Sequence, residues 1–552
     1  MVTSLFFLAV TTPEAHACGG FFCNNLPMDQ SAERIVFALD DVAKTVEMHI
    51  QVTYEGSAEE FAWVVPVPEI PELFVSTDTL FMETSMRFAP QFNPTFHEEG
   101  KCTYDGWYDP YGYDYGLNWT SSSAPESGGG VIVVDEKEVG PYETATLQAK
   151  STADLLEWLQ ANDYDLPNAL DPVLAPYVAD GAYFVALKLQ ADKDTGDLQP
   201  LAMQFEGTRA MIPIQLTSIA ATPDMRLEVY VLGKHRAVPE NYLHVQINDA
   251  AIDWFTGGSN YDQAITWAAD EAGGQAFATD YSATSEPLKD FFYKEGWYDS
   301  DALALETDVT DFLRMVREDF PSNGTLFAIL NEFVPPPPGV DAQSFYNWTD
   351  DYDHLLEDYE FDPVVTAAEI EERIVEPLKR ANDLFENHPR LTRLTSSISP
   401  TEMTIDPMFV FNPDMAEVDG VWEADIYYLC GDGNPWSESN KRIELPDGRQ
   451  FLVPSDKWLF DHDLTYGDLL EQITDYYAKS IERTGPNGEP EMIWSLGDDA
   501  GLQDIEDFSP ADDGASAEAC GCQSAGAGGW GFLVAWPVLA MVLRRRHHER
   551  VP

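Results

Sequence analysis

Apolar and polar residues alternate strictly through TVEMHIQVTYEG, residues 45–56. Val46, Met48, Ile50, Val52 and Tyr54 point one way; Glu47, His49, Gln51, Thr53 and Glu55 point the other. A period of two puts successive side chains on opposite faces of a sheet, so this segment is expected as a half-buried strand. MRLEVYVLG repeats the pattern with Met225, Leu227, Val229 and Val231. FAWVVPVPEIP follows the turn GSAEE, and its prolines place it at a sheet edge or at the end of pairing. Two strands are expected in VIVVDEKEVGPYETATLQA and a hairpin-like unit in AYFVALKLQADKDTGDLQPLAMQFEG. MIPIQLTSIA, YLHVQIN, MTIDPMFVFNPD and DIYYLC read as further strands, and KRIELPDGRQFLVP as a hairpin turning at PDG.

Helical spacing interrupts these runs. TDTLFMETSMRF reads as a short helix. STADLLEWLQANDY opens with a capping signal, Ser151 or Thr152 ahead of Asp154, and carries Leu155, Leu156 and Leu159 on one stripe. YDQAITWAADEAGG is a helix stopped by Gly273 and Gly274. Longer helices are expected over 302–318 and 367–386, with the PPPP of 335–338 as a rigid spacer, and a terminal one in TYGDLLEQITDYYAKSIERTG. The expected class is α+β and β-rich, with antiparallel sheets and flanking helices, followed by a C-terminal hydrophobic sorting helix. A β-rich domain over 18–285 would precede a more helical region over 286–484. Residues 97–130, rich in Tyr, Asp, Gly and Ser, read as an exposed insertion, and 485–519 as an acidic flexible stalk.

Charge narrows the partners. The chain carries 96 acidic and 31 basic residues, for a formal net charge of -65. Such a field repels nucleic acid, which is excluded as a partner, and favours solubility. A hydrophobic content of 44% supplies a large core, so this is not an acidic disordered chain. Four cysteines fall within the body: Cys18, Cys23, Cys102 and Cys430. An even number in an exported chain suits disulfides, and Cys18–Cys23 with Cys102–Cys430 is the preferred one of three pairings.

Both ends suggest export. SLFFLAV is a short apolar run, and Ala15 and Ala17 form an A-x-A site, so signal peptidase would remove residues 1–17 by cutting after Ala17. Lipoprotein processing at Cys18 is the rival. At the other end, 525–543 carries no charge and just reaches spanning length, and Arg544, Arg545 and Arg546 form a positive flank beside the envelope membrane. Cys520 and Cys522, a small-residue spacer, a short apolar helix and an arginine cluster together resemble the myxobacterial C-terminal sorting domain (MYXO-CTERM) over 520–552. That resemblance implies a sorting protease that cuts near the cysteines and display on the cell surface or outer membrane. A retained inner-membrane anchor, with the body in the periplasm, is the alternative.

HACGGFFC, MDQSAERIVFALDD, FAWVVPVP, VGPYE, YFVALKL, IPIQLTSIA, VYVLGKHRA and DEAGGQAF, in that order, resemble the bacterial domain-of-unknown-function family 2330. The resemblance implies an exported, envelope-associated protein, and it implies no activity and no catalytic residues. The chain contains no HExxH, G-x-S-x-G, phosphate loop or dinucleotide fingerprint. His235 and His244 flank a turn and read as exposed strand-end histidines. Asp192, Asp194 and Asp197 in DKDTGD are the best short calcium candidate, in a place where a turn would choose Asp and Gly anyway. The expectation is a non-enzymatic binding or envelope-structural protein with an unknown surface ligand and no cofactor, calcium being the one possible ion. A secreted carboxylate-dependent hydrolase of polysaccharide or peptide, and calcium-dependent adhesion, are the alternatives.

Overall fold

The computed structural model describes residues 29–55, 62–101, 132–162, 164, 170–190, 198–356, 359–430, 440–453 and 474–497. Its described part is β-rich α+β. The chain divides into two compact units. The larger falls within Met1–Pro94, Trp107–Ala424 and Tyr476–Ala500; the smaller falls within Thr95–Gly106, Asp425–Asp475 and Gly501–Pro552.

A ten-stranded sheet organises the larger unit. Its order is Glu491–Ser495, Ala478–Arg483, Leu243–Ile247, Ala276–Thr284, Arg390–Ile398, Ala221–Gly233, Asp29–Asp40, Thr45–Glu55, Leu201–Glu206 and Glu72–Val75. Pairing is antiparallel except for Asp29–Asp40 on Ala221–Gly233 and Leu243–Ile247 on Ala276–Thr284, which run parallel. Alternation builds its two faces. Ile35, Phe37 and Leu39, with Met225, Leu227, Val229 and Val231, pack against Val65, Val67, Val185 and Leu187 of a second sheet. Val36, Ala38, Tyr230 and Leu232 pack against a helical layer that includes Val309–Asp319, Gly324–Phe333 and Glu376–Asn387. The second sheet, in the order Ala62–Val67, Tyr183–Leu189, Tyr142–Gln148 and Ile132–Val139, buries its other face under the helices Thr152–Ala161 and Leu170–Ala179. The larger unit is thus helices on sheet on sheet on helices, with period-two strands serving two cores at once.

Many expected elements are present. Ala62–Val67 is an edge strand, as its prolines require. Ser151 caps its helix by accepting from the Asp154 N–H at 3.2 Å, and Gly273 and Gly274 end theirs at positive φ of 87° and 83°. Four expectations are corrected. Tyr183–Leu189 and Leu201–Glu206 are not a hairpin, because each joins a different sheet. MIPIQLTSIA is a two-residue strand, Ala210–Met211, followed by the short helix Ile214–Thr217, which starts after Pro213 with Gln215 N–H donating to Asp406 Oδ1 at 2.9 Å. The 302–318 helix is broken into Ser300–Leu303 and Val309–Asp319, the second recapped by Asp308. Ala478–Arg483 is a strand and not part of a terminal helix, since it completes the sheet beside Leu243–Ile247.

Gly233 shows how tightly the ten-stranded sheet meets the strand Met408–Asn412, which pairs with Ala210–Met211 and Arg236–Pro239 in a three-stranded sheet. A Cβ there would lie 2.0 Å from the Phe411 ring. Gly233→Ala is expected to cost about 1–3 kcal/mol by overpacking, read as a lower urea midpoint.

A four-stranded sheet has the order Gln450–Val453, Asn440–Glu444, Val421–Cys430, Gln91–Gly100; the first two strands and the later parts of the other two, from Asp425 and Thr95 on, fall in the smaller unit. Among the described residues, no helix is long and apolar enough to cross a membrane. The 525–543 run, the signal segment, residues 498–519 of the expected stalk and most of the 97–130 insertion lie outside them. The start of the expected stalk is no flexible linker: Glu491–Ser495 pairs with Ala478–Arg483 as the edge strand of the ten-stranded sheet.

Candidate functional site

Thr45–Glu55 is an interior strand, paired along both edges, and the helix Glu376–Asn387 meets its polar face through the Arg380 contact to Glu47. His49 sits there with 1% exposure. Its Nδ1 meets Ser76 Oγ at 2.7 Å and its Nε2 meets Glu47 Oε1 at 3.0 Å. Glu47 also accepts from Arg380 Nη1 at 3.1 Å. The guanidinium lies over the Phe74 ring, 3.5 Å from its centroid. One line of contacts therefore runs from Ser76 through His49 and Glu47 to Arg380. Burial pushes the Glu47 carboxyl up, but the hydrogen bond and charge of His49, with Arg380, hold it below the usual range.

The line resembles a Ser–His–Glu nucleophile in composition only. Ser76 and His49 are each 1% exposed, so no substrate carbonyl reaches the hydroxyl. Its Glu47–Arg380 end instead borders a cavity of about 860 Å³. The walls are the turn after Asp29–Asp40, the strand Glu72–Val75, residues 137–140 and the helix Glu376–Asn387.

That helix is placed by a local irregularity. Pro377 has no N–H and would crowd the carbonyl of Arg373, and a π turn over Glu371–Val375 relieves the conflict. The freed Arg373 carbonyl accepts from Gln199 Nε2 at 2.8 Å, and Arg373 Nε donates to Gln199 Oε1 at 3.1 Å. Tyr142 OH donates to the Gln199 carbonyl at 2.5 Å. The helix is thereby tied to the second sheet and presents Glu376, Lys379, Arg380 and Asp383 to the cavity. Lys379 is occupied by Glu371 and Glu376, at 2.6 and 2.7 Å. On the strand side Lys137 Nζ donates to the Leu73 carbonyl at 3.3 Å, next to the Phe74 that carries Arg380.

Alternation along residues 45–55 exposes Glu47 and His49 to sequence reasoning only as a polar face. Nothing local indicates that a helix more than 300 residues later would cover it. The sequence candidates fare differently. His235 is exposed but His244 is buried, which corrects the reading of both as exposed strand ends. His244 meets Glu482 Oε2 at 3.3 Å and Thr279 Oγ1 at 3.0 Å, because the strand Ala478–Arg483 pairs beside it. Asp192, Asp194 and Asp197 lie outside the described residues, as do Ala17, Cys18, Cys23, Cys102, Cys520, Cys522 and Arg544, Arg545 and Arg546. Among the described residues, no group of three or more His, Cys, Asp or Glu side chains could hold a metal ion. Cys430 ends its strand beside Gly100, where an added Cβ would lie 2.5 Å from the Cys430 carbonyl oxygen.

Among solved structures the chain is similar to one titled "Crystal structure of baculovirus P35", at 11% identity and a TM-score of 0.22, over 41% of this chain and 69% of that one. A likeness at that level carries no argument. No curated protein matches the chain. A family model described as "Uncharacterized protein conserved in bacteria" matches residues 12–323, which hold the strand walls of the cavity, while the helix Glu376–Asn387 lies beyond them. That match spans more than half of the sequence, and the chain belongs to this family, DUF2330.

Proposed function

We propose that this protein is exported, displayed on the cell surface through its C-terminal sorting signal, and binds a small ligand in the cavity beside Glu47 and Arg380. The observation that carries the binding reading is the cavity's construction. Its polar side chains are fixed by stacking, ion pairs and a locked helix, as a preformed binding site requires. The sealed Ser76 hydroxyl favours binding over hydrolysis. The export reading is supported by the A-x-A site before Cys18 and by the arrangement of 520–552, which resembles the myxobacterial sorting domain. The adjacency of Gly100 and Cys430 supports the proposed Cys102–Cys430 disulfide, since Cys102 is two residues further on.

A thermal-shift screen of sugars, nucleosides, organic acids and amino acids on the purified body tests the binding reading. At least one class is expected to raise the Tm, since a ligand that binds only the folded state stabilises it. Thr45→Trp, which sets an indole into the cavity lined by Thr45, is expected to abolish that rise while the protein stays folded. A full set of shifts in Thr45→Trp, equal to those of the original protein, would place binding elsewhere and defeat the proposal. The same holds if no class gives a shift in either protein.

A further inference from the structure

Arg380 and Asp383 stand three residues apart on the helix Glu376–Asn387, and both line the cavity. Residues at that spacing are neighbours on one helix face, with Cβ atoms about 5–6 Å apart. Opposite charges so placed attract: partial desolvation raises the Asp383 carboxyl and Arg380 draws it down, but no hydrogen bond or ion pair joins the two among the described residues. Arg380 is held by Glu47 and Phe74 instead, and its remaining N–H groups meet no protein acceptor among the described residues. Asp383 stands exposed at the cavity mouth, and its carboxylate accepts no protein hydrogen bond and joins no ion pair among the described residues. The helix thus presents a free donor edge and a free acceptor group side by side to an open cavity.

A polyanion does not suit this place. The lining also carries Glu138, Glu372 and Glu376, and Glu376 is already used by Lys379. Arg380 is itself partly neutralised by Glu47. A ligand that brings one negative and one positive group makes a charge-assisted contact with each side chain and adds no net charge to a chain of -65.

Resting on the reading of the cavity as a binding site, we infer that its ligand is an α-amino acid. The ligand's carboxylate takes the open guanidinium edge of Arg380, with Lys137 nearby on the strand wall, and its ammonium takes Asp383. The two charged groups of an α-amino acid sit on one carbon, which suits receptors one helical step apart. The rest of the cavity takes the side chain. Arg380, Asp383 and Lys137 are positioning groups for binding, and no bond is made or broken.

The test is calorimetric titration of the purified full body with the common amino acids, and then with the methyl ester and the N-acetyl derivative of the best binder. Binding of the free amino acid is expected, with each derivative weakened about 10-fold or more, as loss of one charge-assisted contact implies. Arg380→Met is expected to weaken the amino acid but leave the ester's residual affinity unchanged. Asp383→Asn is expected to do the same with respect to the N-acetyl form. Asp383→Asn should keep the parent Tm without ligand. Arg380→Met takes a cation from the mostly buried Glu47 and should lower the Tm, so Arg380→Lys, which keeps the charge without the guanidinium edge, is titrated beside it to separate lost contacts from lost folding. Binding of a sugar or nucleoside that Thr45→Trp abolishes, with every amino acid silent, would overturn this inference and leave the binding cavity standing. Amino-acid binding of equal strength in Arg380→Met and Asp383→Asn would overturn it too. Silence from every class would remove both readings.

Discussion

Arg393→Met is expected to destabilise the larger unit by about 3–5 kcal/mol, the usual cost of removing one partner from a buried ion pair. Arg393 has 3% of its side chain exposed and projects from the strand Arg390–Ile398 toward the helical layer. Its Nε lies 3.2 Å from Asp280 Oδ2 and its Nη2 lies 3.6 Å from Glu228 Oε1. Glu228 keeps Arg226 and Arg34 when Arg393 is lost, at 2.9 and 3.3 Å. Asp280 is worse placed: it is fully buried, and its other partners are the neutral hydroxyls of Tyr261 and Thr395. The penalty therefore falls mainly on Asp280. Adding Asp280→Asn to Arg393→Met should recover most of the loss, because removing both charges leaves no orphan. Urea unfolding of the single and double variants measures this. A single variant within about 1 kcal/mol of the parent would show that the network adds nothing beyond what exposed pairs give.

Acid lability is the second large effect. Burial pushes the Glu228 carboxyl up, but Arg393, Arg226, Arg34 and the Tyr230 hydroxyl pull it down further, from 4.5 to about 2. The folded state thus holds this proton less tightly than the unfolded chain does. The resulting stability is complete above pH 4.5 and is lost as the pH falls from there toward 2. It amounts to about 3 kcal/mol for a shift of this size. Asp270 works in the opposite direction: burial first, then Glu402, Asp224 and Glu271, raise it from 3.8 to about 6, so its cost to stability grows as the pH rises from 3.8 and is complete above about 6. It is exposed, which weakens its share. The comparison that isolates Glu228 is the acid limb of the parent against that of Glu228→Gln. The parent should lose more stability between pH 5 and 2 by the amount given. Parallel limbs would refute the assignment.

The same arginines mark what the sequence could disclose. Met225, Leu227, Val229 and Val231 announce their strand by period, and each is fully or almost fully buried against the second sheet. The alternate set on that strand, Arg226, Glu228 and Tyr230, reads as a polar face. Glu228 is buried there because Arg34 and Arg393, from two other strands, join Arg226 around its carboxylate, and no local window contains the first two pairs. The failed hairpin after Tyr183–Leu189 has a related cause. Sequence adjacency favours pairing, but the sheet that accepts Leu201–Glu206 needs Thr45–Glu55 on one side and Glu72–Val75 on the other. The cavity was least legible of all, since it joins residues 38–47 to a helix after residue 370. Pro377 did give a local signal, because a proline inside a helical pattern requires a break or a bulge at that point.

A crystal structure of the body with the compound that raises its Tm most is the most direct test of the central claim. The account predicts that compound inside the cavity, between the strands at Thr45–Glu47 and Leu73–Val75 and the helix Glu376–Asn387, with a polar group on Arg380. The compound bound elsewhere, with only water beside Arg380, would contradict it.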